Sequence, residues 1–223
     1  MRVWISLVVL LAALGGAKYW IDSVETDRGC CELDGPHEHH DHHHSAKKEK
    51  NMRSPKATLE PGRVVQLDTA RGQIDIVLFE KDVPKTTKRI AELVNAKRYD
   101  GVRFTRVENW VIQVEKAKGK DVPGMPLELV EGIVNAKGAV GMARTTDPNS
   151  NSSQFYILLE PSPGLDMQYT VFGRVIRGID VALNIKKNDP IVRAKLRPLT
   201  DEDKRLLGKA LAIETERRYD TGD

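Results

Sequence analysis

Between Arg63 and Ile176 the apolar residues fall into runs of four to eight, separated by turn signals, and this spacing restricts the fold more than any other feature. Arg63–Ala70 and Gln73–Phe79 are joined through Arg71-Gly72, and in the second run Ile74, Ile76 and Leu78 share one face with Asp75 opposite. Further strand-like runs follow at Val102–Val107, Trp110–Val114, Val140–Ala143, Gln154–Leu159 and Thr170–Ile176. Short strands at this spacing favour a barrel or a sandwich over a parallel sheet. One helix interrupts them. Asp82 is placed to cap it, Pro84 suits its first turn, and Thr87, Ile90, Ala91 and Val94 recur at helical spacing. A short second helix is expected near Asp180.

Charge and residue usage exclude several chemistries. Thirty-five basic and thirty-two acidic residues leave a formal charge of +3, too small and too evenly interspersed to indicate nucleic acid. All six histidines lie between His37 and His44, and the only two cysteines are Cys30 and Cys31. The β-rich region therefore has neither a Cys–His nor a Ser–His pair for nucleophilic catalysis, and no histidine-bearing metal centre. Its chemistry must rest on binding, hydrogen bonds and electrostatics.

The two ends read as separate material. Residues 1–21 carry an uncharged, mostly apolar run from Val3 to Ala17, fitting an export signal or, read on to Ile21 with Trp4, Tyr19 and Trp20 at its borders, a single-pass membrane anchor. Either places the rest of the chain outside the cytoplasm. Residues 22–61 lack apolar periodicity and read as a disordered linker. Cys30 and Cys31 are adjacent, too close for the usual disulfide geometry. Asp34, Glu38 and Asp41 are interleaved with His37, His39, His40, His42, His43 and His44, which makes this tract a weak candidate for a loosely bound divalent metal and more plainly a solvated spacer. Residues 195–223 form a charged tail, where Thr200-Asp201-Glu202-Asp203 reads as a capping box ahead of an amphipathic helix bearing Leu206, Leu207, Ala210, Leu211 and Ile213.

Five short motifs then occur in one order. They are Phe104-Thr105-Arg106-Val107, Trp110-Val111-Ile112-Gln113, Gly138-Ala139-Val140-Gly141-Met142-Ala143-Arg144, Ser153-Gln154-Phe155-Tyr156-Ile157, and Leu165-Asp166 with Tyr169-Thr170-Val171-Phe172-Gly173. Over about Gly62 to Ala194 the chain resembles the cyclophilins, a family of peptidyl-prolyl cis/trans isomerases. The resemblance implies a closed antiparallel eight-stranded barrel capped by two helices, spanning residues 62–194. It implies Arg106 as the catalytic arginine and Gln113 as the glutamine that braces it and contacts substrate backbone. By the same resemblance Gln154 would line the same groove, Trp110, Val111, Tyr156 and Leu165 would line the proline pocket, with Tyr169 at its edge and Phe104 beneath, and Ala143, Arg144 and Thr145 would form the bank along which substrate lies.

The departures from the family pattern are specific. The spacing from Arg106 to Gln113 is one residue short, and Val114-Glu115-Lys116 replaces the usual Gly-Gly-Asp. Thr105 stands where the family has histidine, and Gly164 where many members have tryptophan. The loop from Glu115 to Asn135 is short. The expected function is an exported prolyl isomerase acting as a monomer on proline-containing polypeptides, without a cofactor. The alternatives are a non-catalytic proline-peptide-binding chaperone or scaffold, and a metal-handling protein built on the histidine tract.

Overall fold

The computed structural model describes residues 54–219, with side chains to residue 212. The expected leader, Cys30 and Cys31, and the histidine tract lie outside the described residues. No helix among the described residues is long and apolar enough to cross a membrane.

Eight antiparallel strands form one curled sheet: β1 (Val64–Thr69), β2 (Gly72–Leu78), β3 (Phe104–Val107), β4 (Val111–Val114), β5 (Ala139–Met142), β6 (Phe155–Leu158), β7 (Val171–Arg177) and β8 (Ile191–Arg197). The order across the sheet is β3-β4-β6-β5-β7-β2-β1-β8. The sequence implied a closed barrel, but the structure is an open half-barrel. Between its end strands β3 and β8 there is no ladder, only an isolated bridge at Arg103–Pro190. Backbone bonds from Ile191 N to Val102 O (2.8 Å) and from Phe104 N to Asp189 O (3.0 Å) flank it. Gly101 N to Ile191 O (2.6 Å) and Asn188 N to Phe104 O (2.8 Å) are the outer bonds of this short contact.

β8 has no counterpart in the sequence reading, which ended the domain at residue 194, within this strand. Only Ile191 and Ala194 are buried, and Val192 beside Ile191 is exposed, so the alternation that marks a half-buried strand is broken. At the other end, Ala57 N bonds to Glu131 O and Glu131 N to Pro55 O, both 2.8 Å. The last residues of the expected linker thus lie against the folded body.

Helix α1 (Pro84–Asn95) buries Ile90, Leu93 and Val94 against the sheet. Its N-terminus corrects the sequence expectation. The boundary residue is Val83, without a side-chain cap, and the Asp82 carboxylate accepts instead from Thr58 N, Thr58 Oγ1 and Leu59 N at 2.7–2.9 Å. The orphan amides of α1 are met by a distant carboxylate. Glu128 accepts from Lys85 N at 3.1 Å, Thr86 N at 2.7 Å and Thr86 Oγ1 at 2.6 Å. Beneath the sheet, Tyr99, Phe155 and Phe172 meet edge to face at centroid separations of 5.4 and 6.2 Å.

Helix α2 (Ile179–Leu183) is the short helix expected near Asp180, and α3 covers Asp201–Tyr219. At the start of α3, Thr200 Oγ1 accepts from Asp203 N (3.2 Å) and Asp203 Oδ2 accepts from Thr200 N (2.9 Å), the reciprocal bonds of a capping box with aspartate as the returning acid. Asp203 is fully buried and bonds to Arg197 and Arg177 at 2.6 Å each. The same two arginines reach buried Asp75 on β2 at 2.8 and 3.3 Å. This four-membered ionic cluster fastens α3 to the sheet, with Leu207 buried one turn further on. In the sequence the apolar stripe gives way after Ile213 to Glu214, Glu216, Arg217 and Arg218.

Candidate active site

The aim of Arg106 comes from a bulge. Phe104 pairs with Val114 and Arg106 with Gln113, so Thr105 is an extra residue on β3. In an unbroken strand residues 104 and 106 would share a face. The bulge turns Phe104 into the core with no exposed surface, while Thr105 and Arg106 face outward. Phe104 therefore backs the site from the core and does not touch its surface. Val114, where glycine was expected, is likewise fully buried opposite Phe104, so it extends β4 inward instead of forming a turn.

The register then assembles the site across four strands. Arg106 lies opposite Gln113, Gln113 opposite Tyr156, and Tyr156 opposite Gly141. Directly opposed residues project to the same side of a sheet, so these four form one row. Gly141 is required there. A Cβ would fall 2.2 Å from Tyr156 Oη and 2.3 Å from its Cζ. The tyrosine ring lies flat over this gap and its hydroxyl donates to Asn135 Oδ1 at 2.7 Å. Burial pushes the pKa of that hydroxyl well above the ordinary tyrosine range, so it stays a neutral donor.

The missing residue between β3 and β4 has a visible consequence. Glu108 N bonds to Val111 O at 2.9 Å, leaving Asn109-Trp110 as a two-residue hairpin loop. Glu108 is two residues from Arg106 on the same strand face and takes it in a two-pronged pair, Nε to Oε1 at 2.7 Å and Nη2 to Oε2 at 3.1 Å. Trp110 lies under the guanidinium with its ring centroid 5.1 Å away. The Arg106 side chain is 45% exposed, as is Glu108 at 44%. The arginine holds the Glu108 carboxyl below the usual carboxylate range, with a smaller contribution from Trp110. Bracing by Gln113 is not what the structure forms. Among the described residues the hydrogen bonds of the guanidinium go to Glu108, and Gln113 faces it across the ladder. Glu108 is the residue that sequence reasoning missed. Its signal was present in the i, i+2 spacing of two opposite charges on a strand.

The remaining predicted residues line the same side. Tyr169 meets Tyr156 edge to face at 6.0 Å, and the Arg144 guanidinium stacks on Tyr169 at 4.6 Å. Arg144 Nε donates to Gln168 O at 3.0 Å and Nη1 to Thr145 O at 2.8 Å. Ala143 N bonds to Gln154 O at 2.9 Å, which places those two residues side by side beyond the β5–β6 ladder. Val111 and Tyr156 are almost fully buried and act as walls, while Trp110, Leu165 and Tyr169 are half-exposed. Leu165 closes a 3-10 turn at Pro163–Leu165, where a Cβ on Gly164 would meet nothing within 4 Å. The row and its rim are thus a shallow, mostly apolar surface with the Arg106 cation at the end of the row and the Arg144 cation on the rim. No group of three or more histidine, cysteine or acidic residues suited to a metal occurs among the described residues.

Residues 64–204, more than half of the chain, match the family described as cyclophilin type peptidyl-prolyl cis-trans isomerase/CLD. Among curated proteins, the chain is 35% identical over 125 residues to the peptidyl-prolyl cis-trans isomerase-like 1 of Rhizopus delemar, covering 52% of this chain and 76% of that one. It is 33% identical over 148 residues to a probable peptidyl-prolyl cis-trans isomerase of Brucella suis, covering 59% and 75%. Two crystal structures share the fold at 21% identity. A cyclophilin from Hirschia baltica matches with a TM-score of 0.55 over 59% of this chain and 73% of that one. A cyclophilin type isomerase of Cryptosporidium parvum matches with a TM-score of 0.57 over 62% and 99%. The chain belongs to the cyclophilin-type peptidyl-prolyl cis-trans isomerase family and is an isomerase of that type.

Proposed function

We propose that this isomerase works through Arg106 and serves proline-containing polypeptides outside the cytoplasm. A prolyl peptide bond resists rotation by close to 20 kcal/mol because twisting removes amide resonance. An acceleration of about five decades requires roughly 7 kcal/mol of preferential binding to the twisted amide. Twisting returns a lone pair to the proline nitrogen, which becomes a hydrogen-bond acceptor in that state only. A guanidinium fixed beside it donates to the transition state and has no equivalent bond to either planar isomer.

The observation that carries this reading is the row Arg106–Gln113–Tyr156–Gly141, with the Thr105 bulge aiming the arginine onto it. Gln113 and Gln154 offer amide donors and acceptors to extended substrate backbone. Trp110, Leu165 and Tyr169 offer apolar surface to the proline ring. In the resting site Glu108 holds Nε and Nη2, which leaves Nη1 outside that pair for the substrate nitrogen. Export is supported by the apolar run from Val3 to Ala17, and a role in folding exported proteins follows from it.

The test is cis/trans exchange of a short alanyl-prolyl peptide measured by NMR with the full chain. Catalysed exchange is expected, and exchange at the spontaneous rate would overturn the reading. Export is tested separately by fractionating cells of the source organism. The chain is expected outside the cytoplasm, and a cytoplasmic chain with residues 1–21 intact would count against it.

A further inference from the structure

The loop after β4 carries lysines at 116, 118 and 120, all exposed, and the structure holds it against the site. Ala117 N donates to Ser153 Oγ at 3.1 Å, and Ser153 is the residue before Gln154. The Tyr99 hydroxyl donates to Ser153 O at 2.8 Å from below, so the anchor point is itself tied to the core. Glu115 N bonds to Arg103 O at 3.0 Å and Lys118 N to Arg98 O at 2.9 Å. Arg98 returns its guanidinium to the carbonyls of Lys118 and Lys120. The loop is therefore a fixed ledge whose lysine heads are not consumed in holding it.

These side chains form an unpaired positive rim. Arg98 and Arg103 spend their guanidinium groups on backbone carbonyls. Neither they nor the three lysines have a carboxylate within ion-pair distance among the described residues. The nearby acids are outnumbered: Asp100, which accepts from Ala194 N at 2.9 Å, Glu115, which accepts from Arg103 N at 3.0 Å, and exposed Asp121 stand against Arg98, Arg103 and the three lysines. Lys116 is three residues beyond Gln113, about 10 Å at strand spacing. That distance is within a Debye length at about 0.1 M salt.

We infer that this rim is a specificity element of the isomerase, selecting client segments with aspartate or glutamate within about three residues of the proline. The inference rests on the isomerase reading and names the substrate class of that site. An extended chain over Gln113 and Gln154 that continues past Ser153 runs onto the ledge, and acidic side chains there meet several unpaired cations at once.

The test uses the full chain and three peptides with one central alanyl-prolyl bond, flanked by acidic, neutral or basic residues. At about 20 mM salt, kcat/KM for the acidic peptide is expected to exceed that for the basic one by about tenfold. The ratio should fall toward one at about 300 mM salt. In K116Q/K118Q/K120Q the ratio should also fall toward one at low salt, with thermal unfolding unchanged. Equal rates for acidic and basic peptides in the wild type, or a preference that survives the triple substitution, would overturn the inference while leaving the isomerase intact. Absence of catalysis on the neutral peptide would instead overturn the reading on which it rests.

Discussion

Arg106 and Glu108 are both nearly half in water, so their ion pair contributes little to stability and its importance is orientation. The two-pronged geometry fixes the plane of the guanidinium over Trp110. Glu108→Gln keeps size and polarity but releases that plane. We expect it to leave the melting temperature unchanged and to lower kcat by about tenfold, read against an unchanged KM. Because Arg106 depresses the Glu108 carboxyl, the pair is intact above the ordinary carboxylate range and is lost as pH falls through the depressed value. Wild-type kcat should therefore fall on the acid side, below about pH 4, and Glu108→Gln should abolish that limb. Gly141 gives a second test at this scale. Gly141→Ala places a methyl inside the van der Waals radius of the Tyr156 ring, which is buried and bonded to Asn135. A loss of about 1–3 kcal/mol is expected in chemical denaturation, with activity falling as the ring is displaced. Arg106, Gln113, Gln154 and Tyr169 could be nominated from the sequence because each falls within a short motif. Glu108 was not, because its role depends on a hairpin loop whose length motif reading registered only as a missing residue.

Among the elements, α1 and α3 are each held by a carboxylate that local sequence rules do not find or do not fully weigh. Glu128 caps α1 from more than forty residues away and Asp82 serves the incoming chain instead. Nearest-neighbour capping rules place Asp82 on the helix because they cannot see Glu128 arriving. Glu128→Ala removes three bonds at once and should destabilise by about 1–2 kcal/mol. For α3, the capping box was visible in Thr200 to Asp203, but the pairing of Asp203 with Arg177, Arg197 and through them Asp75 was not. Charged partners on β2, β7 and β8 come together only when the sheet is built. Asp203→Ala strands two arginines beside Asp75 and should cost about 3 kcal/mol, measured by urea unfolding. The Asp203 carboxyl is held far below the ordinary carboxylate range, first by Arg197 and then by Thr200 and Arg177. A depressed folded-state pKa stabilises the fold above the unfolded value and loses that contribution as pH drops. Stability of the wild type should decline from about pH 4 downward, and Asp203→Asn should flatten that decline.

For the whole molecule, the sequence conveyed the class of fold and most of the strands, because a half-buried strand writes its alternation into the chain. It did not convey β8, where exposed Val192 beside buried Ile191 breaks the pattern, nor the open seam at Pro190, which depends on how far the sheet curls. The same long-range assembly makes the site. Four residues from β3, β4, β6 and β5 form one row only because the sheet order brings strands distant in sequence into register and one bulge redirects β3. In the proposed mechanism such a surface binds planar and twisted prolyl amides alike by shape, and the Arg106 cation distinguishes them. Replacing that cation separates the two effects. The decisive measurement is kcat/KM of Arg106→Ala for a short prolyl peptide, taken beside the peptide's dissociation constant. The account predicts a fall of about 100- to 1000-fold in the first with about threefold change or less in the second. A variant that keeps more than half of the wild-type rate would contradict it.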